Sequence, residues 1–312
     1  MGFLDAWPWR RGSRVSLEKS DDPFDDDFQR KLEYLALVSR RVFTGRLRAE
    51  RRTRKSGSGV EFADHRDYQP GDDFRSLDWS VYQRFDRLLV RLYEEEEDLA
   101  IYLILDTSSS MAFGKNAPKM AYAKKVIAAL AYVGLANLDR VSIVTTSDRV
   151  MERMPETRGK ARIFKAMRFL REVSAEGTTD LGDAMKSFVA QNKRRGLAVL
   201  VSDLYDPRGF EKGINVLRYN KFDTFVVHVV DPEESRPRIH GDVLVYDCET
   251  GDEREITVTA KVLDRFAGAH ATYLAEVERF CATRQVPYVA ASVDVPLEEM
   301  ILRVFRRGGF LR

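Results

Sequence analysis

The stretch Leu99-Ala-Ile-Tyr-Leu-Ile-Leu-Asp-Thr-Ser-Ser-Ser-Met111 decides the fold. Its first half is a continuous apolar run with β-branched and aromatic residues, the pattern of a strand buried on both faces. The run ends in Asp106, Ser108 and Ser110, one carboxylate and two hydroxyls at alternate positions. Open α/β sheets hold their ligands just beyond the carboxyl ends of their strands. The sequence therefore puts three hard oxygen donors where such a fold keeps a site.

Downstream of this stretch, strands and helices alternate. A long helix is expected from Pro118 to about Asn137. A strand follows over Arg140–Thr145, with Val150–Met154 beside it, and then a helix over Ala161–Val173. Gly177-Thr-Thr-Asp180 is a tight loop opening a helix from Leu181 to Asn192. Leu197–Val201 is a strand that stops at Ser202-Asp203. A helix over Phe210–Tyr219 and a strand over Thr224–Val230 come next, then a hairpin over Asp242–Thr259 turning at Glu249–Asp252. A helix over Lys261–Arg284, a strand over Tyr288–Val293 and a helix over Leu297–Arg307 complete the chain. This alternation predicts an α/β fold, a mostly parallel sheet with helices on both faces.

Upstream, residues 1–30 read as a flexible head. Basic residues precede an acidic run at Asp21, Asp22, Asp25, Asp26 and Asp27, and such sequence does not offset its ordering entropy. Phe28, Leu32, Leu35 and Val42 lie near helical spacing and predict one amphipathic helix over Phe24–Phe43. Residues 31–97 are expected to form an N-terminal helical and β extension, and 98–312 the α/β domain. Within the extension, residues 46–55 are basic and read as a solvated loop or hairpin, with a polyanion contact as the alternative. Around the Pro70-Gly71 turn, Asp72, Asp73 and Asp78 are expected to cap turns and pair with Arg75, Arg84 and Arg87; a second metal site is the alternative reading. Trp79 and Tyr82 are expected to cover a core. Leu88–Tyr93 reads as a strand, and Glu94–Asp98 as an acidic connection to Leu99.

Composition narrows the function classes. The 312 residues are 44% hydrophobic and 32% charged, with a formal net charge of only +2, which argues against a general polyanion binder. Cys248 and Cys281 show no metal-type spacing and no disulfide framework. No run of about 18 apolar residues is present, and the N-terminus carries no apolar signal core. A cytoplasmic protein is expected.

Three loops fall at strand ends or before helices. They hold Asp106, Ser108 and Ser110, then Thr178 or Thr179, then Asp203. All are oxygen donors, which suits magnesium, manganese or calcium and not zinc. Two carboxylates roughly neutralise a divalent cation, and neutral hydroxyls leave it electrophilic, ready for a partner's Asp or Glu. The competing reading is that these residues cap helices.

This pattern resembles the metal-ion-dependent adhesion site of the von Willebrand factor type A fold. Glu61-Phe62, the segment Tyr68–Trp79 and the run Arg91–Glu97 are similar to the hallmark of the bacterial family called domain of unknown function 58. The similarity covers about residues 45 to 310. It implies that Ser108, Ser110 and Thr179 ligate Mg2+ directly or through water. Asp106 and Asp203 then hold it mainly through water, and Thr179 is preferred over Thr178. It further implies an adaptor or chaperone-like role beside a MoxR-type AAA+ ATPase. No side chain is given a catalytic role. A phosphatase-like hydrolase is the alternative, but it wants a second carboxylate where Ser108 stands. A nucleic-acid binder using residues 46–55 is a further alternative.

Overall fold

Seven residues from Ala100 to Asp106 form a strand in which every side chain is buried. Its alternate residues serve two different cores. Ile101, Leu103 and Leu105 face one, and Ala100, Tyr102 and Ile104 face the other. An uninterrupted apolar run is the only composition that satisfies both faces, and each fully buried Leu or Ile contributes about 1.5–3 kcal/mol.

The computed structural model describes residues 23–43, 52–56, 61–96, 99–114 and 118–308. Along the chain lie α1 (Asp26–Phe43), β1 (Arg52–Ser56), β2 (Glu61–Asp67), α2 (Trp79–Phe85), β3 (Leu89–Glu96) and β4 (Ala100–Asp106). Then come α3 (Pro118–Ala136), β5 (Arg140–Thr146), β6 (Val150–Thr157), α4 (Ile163–Glu172), α5 (Leu181–Gln191) and β7 (Leu197–Ser202). The remainder is α6 (Glu211–Tyr219), β8 (Asp223–Val230), α7 (Pro232–Ser235), β9 (Gly241–Tyr246), β10 (Glu253–Val258), α8 (Ala260–Thr283), β11 (Tyr288–Ser292) and α9 (Leu297–Arg307).

The central sheet has six strands in the order β11-β8-β7-β4-β5-β6. All pairs are parallel except β5–β6. One face is covered by α1, α3, α4 and α9, the other by α5, α6 and α8. The expected α/β architecture with helices on both faces is the observed one. The expected hairpin is present as the separate β9–β10 pair.

The N-terminal part shows the main differences. The acidic head up to Asp22, and most of the basic 46–55 segment, lie outside the described residues. From Phe24 the chain joins the core: Phe24, Phe28, Leu32 and Leu35 are buried with residues of α3 and α4. A three-stranded antiparallel sheet, β1-β3-β2, follows. Glu94, Glu95 and Glu96 are not a connecting turn. They are ladder residues of β3, standing opposite Arg54, Thr53 and Arg52 of β1.

The three aspartates around Pro70-Gly71 are caps and ion-pair partners, as expected, but with other cations. Arg66 donates to both oxygens of Asp72 at 2.8 Å, and Arg91 lies 3.3 Å from Asp78. Asp73 caps a single 3-10 turn, Asp78 caps α2, and Arg87 pairs with Asp67 at 2.9 Å. Trp79 and Tyr82 do not cover a core: they are 52% and 39% exposed. Leu77 and Val90 are the buried apolar residues there.

Candidate functional site

β4 is followed by β5 on one side, whereas β7 lies on its other side, so the strand order reverses between β4 and β7. In doubly wound sheets the crevice at such a reversal is where ligands sit. Asp106 is the last residue of β4, and Asp203 directly follows β7. Both carboxylates are completely buried.

The chain turns sharply after Asp106. Asp106 Oδ1 accepts the Ser108 N–H at 3.0 Å, and Oδ2 accepts the Ser202 hydroxyl at 2.5 Å. The Ser108 and Ser110 hydroxyl oxygens lie 3.0 Å apart, and both residues are buried. A short 3-10 turn over Ser109–Ala112 brings Ser110 back toward Ser108.

The loop before α5 is pinned to this turn. Ser109 N–H donates to the Gly177 carbonyl at 3.0 Å, and Glu176 N–H to the Thr107 carbonyl at 2.6 Å. Asp180 caps α5 by accepting the Asp183 N–H. Thr179 is buried and its neighbour Thr178 is exposed. The Thr179 hydroxyl donates to Glu249 Oε1 at 2.6 Å and its N–H to Glu249 Oε2 at 2.9 Å. Glu249 belongs to the turn of the β9–β10 hairpin.

The cation of the site is Lys119, in the first turn of α3. Its side chain has no exposure and donates to Asp203 Oδ2 at 2.6 Å and Glu234 Oε1 at 2.5 Å. The ammonium also stands 5.2 Å from the Tyr205 ring centre and 5.8 Å from that of Phe113. Burial disfavours the ammonium, but the charges of Asp203 and Glu234 outweigh it and hold the pKa above the ordinary lysine value. Among the described residues Asp106 has no such partner. Burial first, and the charge of Asp203 second, push its carboxyl up to about 7.

A second layer fixes Asp203. Its carbonyl can only accept, so His228 Nε2, 3.0 Å away, carries the proton, and Nδ1 accepts from the Tyr288 hydroxyl at 2.9 Å. Burial lowers the His228 pKa to about 4, so the ring is neutral. Leu204 adopts φ 60°, unusual for a side chain of its size. Ser202 Oγ accepts the Leu204 N–H at 2.8 Å and Tyr273 donates to the Leu204 carbonyl at 2.5 Å, which holds that conformation.

The structure thus joins Asp106, Ser108 and Ser110 in one turn and brings Asp203 beside them across the β4–β7 step. Thr179 lies on the adjoining loop with its hydroxyl turned to Glu249. Two carboxylates and three hydroxyls are the donor chemistry of a hard cation. Among the described residues no three His, Cys, Asp or Glu side chains form a metal cage. A cation here would draw on the hydroxyls as well as on Asp106 and Asp203. Among the described residues, one buried carboxylate oxygen nearby, Glu234 Oε2, has no hydrogen-bond partner. Sequence reasoning missed Lys119, Glu234 and Glu249. The signal for Lys119 was a lysine next to Pro118 at the head of a helix that then turns largely apolar.

Comparison with known proteins gives a family. The profile described as "Protein of unknown function DUF58" matches residues 64–275. The uncharacterized protein Rv1480 of Mycobacterium tuberculosis is 27% identical over 267 residues, covering 84% of each chain. The uncharacterized protein MAV169 of Mycobacterium avium is 30% identical over 115 residues, 37% of this chain and 68% of that one. Among solved structures, the conserved hypothetical protein BatB of Bacteroides thetaiotaomicron aligns with 68% of this chain and 98% of its own. Its identity is 15% and the TM-score 0.41. An aerotolerance-related membrane protein of Bacteroides fragilis aligns with 67% and 99%, at 16% identity and TM-score 0.41. In this chain, no helix of the described residues is long and apolar enough to cross a membrane.

Proposed function

The chain belongs to the DUF58 family, and from the donors at its β4–β7 step we propose that it is a divalent-cation-dependent protein-interaction module. In this reading Asp106, Ser108, Ser110, Thr179 and Asp203 hold a cation, Mg2+ in preference to Mn2+ or Ca2+. The site corresponds to the metal-ion-dependent adhesion site of a von Willebrand factor type A domain. The bound cation supplies an electrophile for an acidic side chain of the partner. The chain's own residues do the rest. The Asp106 and Asp203 carboxylates provide charge, the hydroxyls keep the donor set weakly anionic, and the Lys119–Glu234 pair balances the buried acid beside them.

The observation that carries this reading is the burial of two carboxylates at the carboxyl ends of adjacent parallel strands, with one ammonium shared between Asp203 and a third acid. A carboxylate buried without compensation is expensive, and a divalent ion removes that expense. The family resemblance suggests a MoxR-type AAA+ ATPase as the partner and an adaptor or chaperone-like role. Pull-down of such an ATPase in Mg2+ and in EDTA tests it. Capture is expected in Mg2+, loss is expected in EDTA and with Asp106→Ala, and capture that ignores both rejects the reading.

A further inference from the structure

The turn of the β9–β10 hairpin presents one side chain to the rest of the molecule. From residue 244 to residue 257 every residue is exposed except Glu249. The turn is built to present it. Asp247 Oδ1 accepts the N–H groups of Glu249 at 2.8 Å and Thr250 at 2.9 Å. Gly251, at φ 76°, donates its N–H to the Asp247 carbonyl at 2.9 Å and closes the loop. At the base of the hairpin Val243 and Val258 are buried. Among the described residues the two strands pair only with each other between base and tip, an arrangement of marginal stability alone. The tip is held at Thr179 by its carboxylate.

The receiving corner is selective for that group. Thr179 offers two donors, N–H and O–H, at 2.9 and 2.6 Å from the two oxygens of one carboxylate. An amide in the same place would turn its NH2 toward one of the donors. A charged acceptor also makes both bonds stronger than a neutral one would. We infer that the Thr179 corner is a carboxylate receptor and that Glu249 is its resident ligand, which an acidic side chain of a partner protein must displace. The inference rests on the proposed interaction role only for the identity of the displacing group. The receptor itself uses no metal. Glu249 is tethered through the hairpin, so a free carboxylate competes against a local concentration in the millimolar range. The chain is thereby latched against weak acidic ligands and opens to a partner that brings a well-placed acid.

The test uses the full chain, its Glu249→Ala variant and a labelled synthetic peptide of residues 241–258, titrated by fluorescence anisotropy in EDTA. If the resident ligand occupies the corner nine-tenths of the time, the peptide binds the variant about tenfold tighter than the unaltered protein. A peptide carrying Gln at position 249 shows no such gain. Hydrogen exchange at the Thr179 amide is expected to speed up in the variant. Equal peptide affinity for the two proteins, equal gain with the Gln peptide, or unchanged Thr179 protection overturns the inference. Calorimetry with Mg2+ on the same proteins separates it from the metal reading. Mg2+ binding without the peptide gain refutes the receptor alone, and the peptide gain without Mg2+ binding refutes the metal reading alone.

Discussion

Replacing Lys119 by Met removes the ammonium and keeps most of the side chain's volume. Asp203 and Glu234 are then left in the interior without the cation they share at 2.6 and 2.5 Å. Removing one partner of a buried ion pair costs about 3–5 kcal/mol, because the remaining charge is uncompensated. Whole domains are stable by only about 5–15 kcal/mol, so this single substitution removes a large share. Urea unfolding in EDTA should show that loss as a lower midpoint at unchanged slope. Asp203→Asn in the Lys119→Met background should cost much less than in the unaltered chain, since the charge it deletes is already unpaired. Mg2+ should restore more stability to Lys119→Met than it adds to the unaltered protein. At a hundredfold excess over its dissociation constant a ligand contributes about 2.7 kcal/mol. A loss below about 1 kcal/mol, the range of an exposed ion pair, would refute the assignment of Lys119 as the internal cation.

Two further outcomes follow from the geometry. His228 stays neutral in the fold down to about pH 4, whereas the unfolded chain takes up the proton near 6.5. Its contribution is therefore complete above pH 6.5 and is lost as pH falls to 4, about 3 kcal/mol in all. Asp106, pushed up to about 7, shifts stability the opposite way over the same interval, so urea titrations in EDTA should show the His228 decline as the difference between the unaltered chain and His228→Gln, and a difference that does not change with pH would contradict it. At Gly196 an added Cβ would lie 2.2 Å from the Ala100 carbonyl oxygen, so the entry to β7 must shift away from β4. Gly196→Ala should cost about 3 kcal/mol by urea unfolding, and a neutral result would mean the two strands are not held this closely.

The sequence made the sheet readable for a physical reason. A strand buried on both faces must be apolar throughout, and the run up to Leu105 is. The ends of such strands are then the natural places for Asp106 and Asp203. What stayed hidden was whatever the fold brings from far along the chain. Lys119 meets acids 84 and 115 positions away, and Glu249 reaches back 70 positions to Thr179. No local pattern marks either. β2 carries Glu61, Asp64, His65, Arg66 and Asp67, without the apolar alternation that reveals a half-buried strand. α2 was hidden by the turn chemistry preceding it, since Asp78 serves as its cap and reads equally well as part of the turn. Trp79 and Tyr82 misled because large aromatics usually indicate a core, and here they stand half in solvent.

The proposed interaction role requires that the oxygen cluster at the ends of β4 and β7 hold a divalent cation. Calorimetric titration of Mg2+ into the EDTA-stripped, dialysed chain, beside Asp106→Ala and Asp203→Asn, addresses it most directly. One Mg2+ per chain is expected for the unaltered protein and loss of that binding in both variants, with the folded state retained by circular dichroism. No heat of binding in the unaltered protein, or binding that survives Asp106→Ala undiminished, would contradict it.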